Sequence, residues 1–294
     1  MEREPEELDL LRSGVDLGLL AKHIVDGFMI GMHKGTRRGI GSEFSQYRSY
    51  QPGDDIRQID WKMFARSDRY YIKESETESS VTVRFFLDMS ASMKYEENGI
   101  SRFQYASLVT AVLGTIASQQ GDAIALHLVN NSEHKSLTEK RGKSHLNRFI
   151  HLLENTECRG HWPESTDWLT NNLNTHDREL WIVCSDLLDG EKRWETFIQL
   201  SKSVGHEIQF LQILGHDELH LELEEAVTVE DPESHAKKNI RTSSVRKEYL
   251  KNLHAYLEEL KSGLMSPRTN LFLMEMNQSI RDALFEFLKL RERL

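Results

Sequence analysis

From residue 79 onward the chain alternates strand-like and helix-like segments, and this alternation restricts the possible folds more than any other feature of the sequence. Residues 81–87 form a β-branched and aromatic run that stops at Asp88. Residues 101–120 then carry Phe103, Ala106, Val109, Leu113 and Ile116 at spacings of three and four, behind Ser101 and Gln104 at capping-box spacing. Further strands are expected at 123–129, 179–185, 207–214 and 270–275, with a short one at 226–229. Helices are expected at 143–155, 166–174, 191–204, 244–260 and 279–290. Repeated strand–helix units predict an α/β fold, a doubly wound and mostly parallel sheet with helices on both faces.

The first 78 residues read differently. Apolar residues recur at helical spacing over 8–30, four glycines break the pattern over 31–41, and 43–78 is aromatic, charged and turn-rich, with Pro52-Gly53-Asp54 as a turn signal. The expected organisation is an N-terminal helix and aromatic-basic extension, 1–78, packed on the core, followed by an α/β domain, 79–294. The net charge of -10 is unevenly spread, with eight acids and no lysine or arginine between Asp217 and Glu233. Such a chain lacks the concentrated cationic face that phosphate binding needs, which argues against a nucleic-acid partner. No apolar run approaches the ~18 residues of a membrane span. The acidic start lacks a signal-peptide pattern, so a cytoplasmic protein is expected. The two cysteines, Cys158 and Cys184, are too few for a disulfide framework and read as structural thiols.

In a doubly wound sheet, ligands sit beyond the carboxyl ends of the strands. Two strands are expected to end there in carboxylates: 81–87 runs into Asp88-Met89-Ser90-Ala91-Ser92, and 179–184 runs into Ser185-Asp186. One carboxylate and two hydroxyls on a single loop, with a second carboxylate on another strand end, are hard oxygen donors suited to Mg²⁺.

Asp88-x-Ser90-x-Ser92 after an apolar strand resembles the metal-ion-dependent adhesion site of von Willebrand factor type A domains. That resemblance implies a threonine from a second loop and an aspartate from a third, for which Thr166 and Asp186 stand at suitable places in chain order. The family usually has glycine before its threonine, whereas Glu164 and Ser165 precede Thr166, so either Ser165 or Thr166 is the second-loop ligand. The implied metal set is thus Asp88, Ser90, Ser92, Thr166 and Asp186, holding Mg²⁺ or Mn²⁺, with the last position filled by an acidic group of a partner.

A second resemblance lies upstream. The segment Tyr47-Arg48-Ser49-Tyr50-Gln51-Pro52-Gly53-Asp54-Asp55-Ile56-Arg57-Gln58-Ile59-Asp60-Trp61-Lys62, continuing through Ala65-Arg66 to Lys73-Glu74, resembles the signature of the bacterial domain of unknown function 58 family. The resemblance extends to Val229-Glu230-Asp231-Pro232-Glu233 and Phe287-Leu288-Lys289-Leu290-Arg291. It implies a type A-like domain joined directly to the signature, in the soluble short form. It also implies a partner, a MoxR-type AAA+ ATPase, with the protein acting as a metal-dependent adaptor and not as an enzyme.

An alternative is a Mg²⁺-dependent hydrolase, phosphatase-like, with Asp88 as nucleophile. Such phosphatases need a second aspartate two residues on, where Ser90 stands, so the general acid is missing. Within the signature, Arg48, Asp55, Arg57, Asp60 and Arg66 are expected to form an internal ion-pair network, with Trp61 and Phe64 as core contacts. His216 and His220 have i, i+4 spacing, but position 217 is Asp and not the Glu of a zinc-protease motif, so they read as surface residues.

Overall fold

In a computed structural model of the chain, the described residues are 6–35, 46–51, 54, 59–74, 81–170, 178–188, 194–203, 205–221, 226–230, 237–264 and 266–291. The chain opens with helices α1 (Glu6–Arg12) and α2 (Leu17–Gly35). Leu8, Leu11, Leu20, Ile24 and Val25 are buried in one cluster with residues of the main sheet. The chain accordingly divides into Met1–Met29 with Val81–Leu294 as one unit and Ile30–Ser80 as another, so the first helices group with the sheet and not with the signature segment. Helix α2 runs to Gly35, into the stretch expected to be a loop. Glycine costs a helix only ~1 kcal/mol per residue, which is too little to end one by itself. Residues 36–45 lie outside the described residues.

In the unit Ile30–Ser80, β1 (Gln46–Ser49) pairs antiparallel with β2 (Tyr71–Glu74), and α3 (Trp61–Ser67) lies between them in sequence. Asp60, expected in an internal ion-pair network, accepts through its carboxylate from the backbone N–H of Lys62 at 2.9 Å and of Met63 at 3.0 Å and so caps α3. Asp55 and Arg57 of that expected network lie outside the described residues. Phe64 stacks on Tyr70, but Trp61 is 58% exposed and is not a core contact.

Then come β3 (Thr82–Asp88), a minimal hairpin β4 (Glu96–Glu97) and β5 (Ile100–Ser101), α4 (Arg102–Gln119), β6 (Ala123–Val129), β7 (His134–Lys140), α5 (Lys143–Glu154) and α6 (Asp167–Thr170). They are followed by β8 (Glu179–Ser185), α7 (Trp194–Ser203), β9 (Glu207–Leu214), α8 (His216–His220), the hairpin β10 (Ala226–Glu230) and β11 (Lys237–Arg241), α9 (Thr242–Leu264), β12 (Thr269–Glu275) and α10 (Ile280–Arg291). The main sheet has the order β12-β9-β8-β3-β6-β7, and every neighbouring pair is parallel except β6 with β7. This is the doubly wound, mostly parallel sheet that the alternation predicts. The unexpected member is β7, a polar edge strand whose lysines protect an open sheet edge.

Alternation along β3 sends Val83, Phe85 and Leu87 into a core shared with α1, α2, α4, α5 and α10, and Phe86 into a core on the other face with Trp181, Phe197 and Phe210. The buried Arg84 grips Glu179 bidentately, at 2.8 and 2.7 Å, and fixes β3 against β8. The capping box at the start of α4 forms as expected, with Ser101 and Gln104 exchanging hydrogen bonds. Among the described residues, no helix is long and apolar enough to cross a membrane.

Close approach of α4 to α5 depends on Gly114. A Cβ there would lie 3.0 Å from Cε1 of Phe149, which is fully buried and packed edge-to-face on Phe85. Gly114→Val is expected to destabilise the protein by about 2 kcal/mol through overpacking. Urea denaturation checks this, and an unchanged midpoint would show that the Phe149 ring yields.

Candidate metal centre

Strand β3 is laid down first, β6 and β7 flank it on one side, and the chain then crosses over to place β8, β9 and β12 on the other. The order therefore reverses between β3 and β8, and the crevice for a ligand opens beyond the carboxyl ends of those two strands. Leu87 pairs with Cys184, which sets Asp88 level with Ser185 and brings Asp186 to the same end. Asp88 and Asp186 are 2% and 3% exposed.

The Asp88 loop folds onto itself. Oδ1 of Asp88 accepts from the Ser90 backbone N–H at 2.8 Å, and the Ser90 and Ser92 hydroxyls lie 2.9 Å apart. A 3₁₀ turn, Ala91–Lys94, carries Ser92. Ser185, which sequence reasoning passed over, donates its hydroxyl to Oδ2 of Asp88 at 2.7 Å, while Oδ1 of Asp186 accepts from the Leu188 N–H at 3.1 Å. Hence Asp88, Ser90, Ser92 and Asp186 meet, with Ser185 as the link.

Thr166 stands apart from this network. Its carbonyl accepts from the Leu169 N–H, and among the described residues its hydroxyl makes no hydrogen bond to the other four site residues. The Ser165 hydroxyl lies 3.1 Å from an Asp167 carboxylate oxygen and 3.3 Å from the Asp167 N–H at the start of α6, so a local turn already engages it. The second-loop residues that touch the Asp88 loop are Arg159, whose N–H donates to the Met89 carbonyl, and Gly160, whose carbonyl accepts from Ala91.

The largest surprise is Arg102. It is 1% exposed, donates from Nη1 to Oδ2 of Asp186 at 2.5 Å and to the Ser92 carbonyl at 3.0 Å, and bonds Glu218 through Nη2. Its guanidinium also lies 4.8 Å from the centre of the Tyr95 ring. A cation in the first turn of a helix opposes the macrodipole, so Arg102 at the start of α4 implies a compensating carboxylate. That was the one signal in the sequence that could have revealed it.

Asp186 thus has a cationic partner, shared with Glu218, whereas among the described residues Asp88 has none. Burial and the neighbouring Asp186 push the Asp88 carboxyl up to about 7, against the pull of hydrogen bonds from Ser185 and Ser90. A buried carboxylate without a counter-charge, flanked by two hydroxyl oxygens, is a donor set that fits a small hard divalent cation. Cys158, near Asp88, and Cys184 are buried, and burial raises both thiols, that of Cys184 to about 12, as structural residues require.

A family model, "Protein of unknown function DUF58", matches residues 46–258, most of the chain. The chain belongs to the DUF58 family. DUF58 membership covers both the signature segment and the strands that carry Asp88 and Asp186. Uncharacterized proteins of Mycobacterium bovis and Mycobacterium tuberculosis are 24% identical to it over 223 residues, spanning 74% of this chain and 69% of theirs. Among solved structures, the conserved hypothetical protein BatB of Bacteroides thetaiotaomicron is 13% identical and aligns over 71% of this chain and 100% of its own, with a TM-score of 0.42. The SpRpn10 VWA domain is 12% identical over 70% and 95% of the two chains, with a TM-score of 0.43.

Proposed function

We propose that this DUF58 protein is a metal-dependent protein-binding module. Asp88, Ser90 and Ser92 hold Mg²⁺ or Mn²⁺, Asp186 supports them from the neighbouring strand end, and the second-loop hydroxyl is that of Ser165 or Thr166, neither of which is hydrogen-bonded to the Asp88 loop among the described residues. The observation that carries this reading is the convergence of Asp88, Ser90, Ser92 and Asp186 at the reversal of strand order, with Asp88 buried and lacking a counter-charge. When bound, the ion supplies a positive centre to which an acidic side chain of a partner can attach. Arg102 has a defined part: shared between Asp186 and Glu218, it offsets one of their two charges and so reduces the negative charge that the ion must balance beside Asp88. The partner we propose is a MoxR-type AAA+ ATPase, on family resemblance, and the compartment is the cytoplasm.

A binding role is favoured over hydrolysis because Ser90 stands two residues after Asp88, where a phosphatase with an aspartate nucleophile needs its general acid. Titration with Mg²⁺ and with Mn²⁺ is expected to raise the unfolding free energy of the wild type by about 2.7 kcal/mol at a hundred times the dissociation constant. Asp88→Ala is expected to abolish the response and Asp186→Ala to weaken it. Equal responses in all three proteins would refute the metal site. Capture of the ATPase that resists both chelator and Ser90→Ala would refute a metal-bridged contact.

A further inference from the structure

The His216 and His220 pair, which reads as an ordinary surface feature in the sequence, gains a third member in the fold. Strands β9 and β12 run parallel with Leu214 opposite Glu275, so the last residue of β12 is delivered beside the start of α8. Helix α8 is a single turn, and its first and last residues are the two histidines. Nδ1 of His216 is hydrogen-bonded to Oε1 of Glu275, and Nε2 of His220 lies 3.9 Å from the same oxygen. The two imidazole rings are 4.5 Å apart between centroids, and one ligand atom from each of the three residues lies within 4.8 Å of the others.

We propose that His216, His220 and Glu275 form a transition-metal site of the Zn²⁺ class, separate from the Asp88 centre. The donor chemistry separates the two sites. Two imidazole nitrogens and one carboxylate suit Zn²⁺ and its neighbours Co²⁺ and Ni²⁺, whereas a loop of carboxylate and hydroxyl oxygens suits Mg²⁺. Ligand bonds of about 2.0–2.2 Å in a tetrahedron put donor atoms roughly 3.3 Å apart. To reach that spacing His220, the most exposed of the three at 48% of its side chain, must close in on Glu275 while the hydrogen-bonded His216 and Glu275 atoms move slightly apart. Three protein ligands leave one position open to water or to a donor from another molecule. The bound imidazoles must be neutral, so binding releases any proton that His216 shares with Glu275.

The site also has a structural reach. Between the two histidines on the same turn stands Glu218, whose carboxylate accepts from the Gly215 N–H and holds Arg102, the partner of Asp186. Metal at His216 and His220 would fix the turn from which Glu218 works.

The test is calorimetric titration of the chelator-treated full chain with Zn²⁺, and with Co²⁺ followed by its visible absorption. The wild type is expected to bind one Zn²⁺ at this site. His216→Ala, His220→Ala and Glu275→Gln are each expected to weaken binding on the order of 100-fold, at least what the loss of an outer-shell partner costs. Asp88→Asn should leave Zn²⁺ binding intact while losing the Mg²⁺ response, and His220→Ala should do the reverse, so failure of one site is distinguishable from failure of the other. The protein has 13 histidines, so stoichiometry alone decides nothing. Zn²⁺ affinity in the folded double variant His216→Ala/His220→Ala within tenfold of the wild type would overturn the proposal, as would absence of Zn²⁺ binding by the wild type.

Discussion

Arg102→Ala is expected to cost the metal-free protein about 3–5 kcal/mol, the usual result of removing one partner of a buried ion pair. The loss is not simply that of two hydrogen bonds. Burial works against the Arg102 charge, but Asp186 and Glu218 outweigh it and hold the guanidinium protonated well above its ordinary range. Without it, Asp186 is left buried 3% exposed beside Asp88, and the Ser92 carbonyl loses its donor. A divalent ion would relieve the same excess of negative charge. Mg²⁺ is therefore expected to stabilise Arg102→Ala more than it stabilises the wild type. Denaturant titrations of both proteins, in chelator and in saturating Mg²⁺, measure the two differences. A loss below about 1 kcal/mol in chelator would show that solvent reaches Asp186 readily once the arginine is gone, because an exposed pair contributes little. An equal gain from Mg²⁺ in both proteins would show that arginine and ion do not act on one shared charge.

The prominence of Arg102 marks where sequence reading stops. The carboxylates were legible because they end apolar runs: a residue following a fully buried β-branched strand must emerge at the carboxyl edge of the sheet, whatever the details of packing. Asp88 and Asp186 come together for that reason, and Ser90 and Ser92 follow because they share a short loop with Asp88. Arg102 and Glu218 are separated by 116 positions, and their meeting depends on where α4 and α8 dock, which no local pattern encodes. Glu275 reaches His216 by strand pairing across the sheet, which is equally non-local. Strand β7 was missed for a different reason. Its sequence, HKSLTEK, is mostly exposed and polar, so it carries little hydrophobic alternation. The hint lay in the preceding Asn130, whose side chain accepts from the N–H groups of Ser132 and Glu133 to close the turn. The second loop is legible in part: chain order points to Ser165 or Thr166 as its hydroxyl, while its backbone hydrogen bonds to the Asp88 loop, made by Arg159 and Gly160, carry no sequence pattern.

In chelator, the stability of the wild type relative to Asp88→Asn is expected to fall as pH rises from about 4 to about 7. The Asp88 carboxyl is raised from 3.8 to about 7 in the folded protein, by burial first and by Asp186 second. Across that window the folded state keeps the Asp88 proton that the unfolded state has already lost, so the folded state binds more protons and is weakened by their removal. The contribution is fully present below the unfolded value and disappears as pH passes the folded one, with a slope of up to ~1.4 kcal/mol per pH unit. The charged or titratable groups around Asp88 are Asp186, backed by Arg102, and Cys158. Other buried groups push the opposite way. Glu7 and Glu179 are lowered by their hydrogen-bonding partners despite burial, and burial with Arg84 lowers the His127 imidazole to about 3. They are common to both proteins and cancel in the difference. Asparagine retains an oxygen for the Ser90 N–H and frees the Ser185 hydroxyl to donate to Asp186. At neutral pH the metal-free variant is thus expected to be the more stable protein, with the order reversed in saturating Mg²⁺. Parallel pH profiles for the two proteins in chelator would mean that water or a reoriented Arg102 already serves Asp88, and the case for a cation at that loop would lose its electrostatic basis.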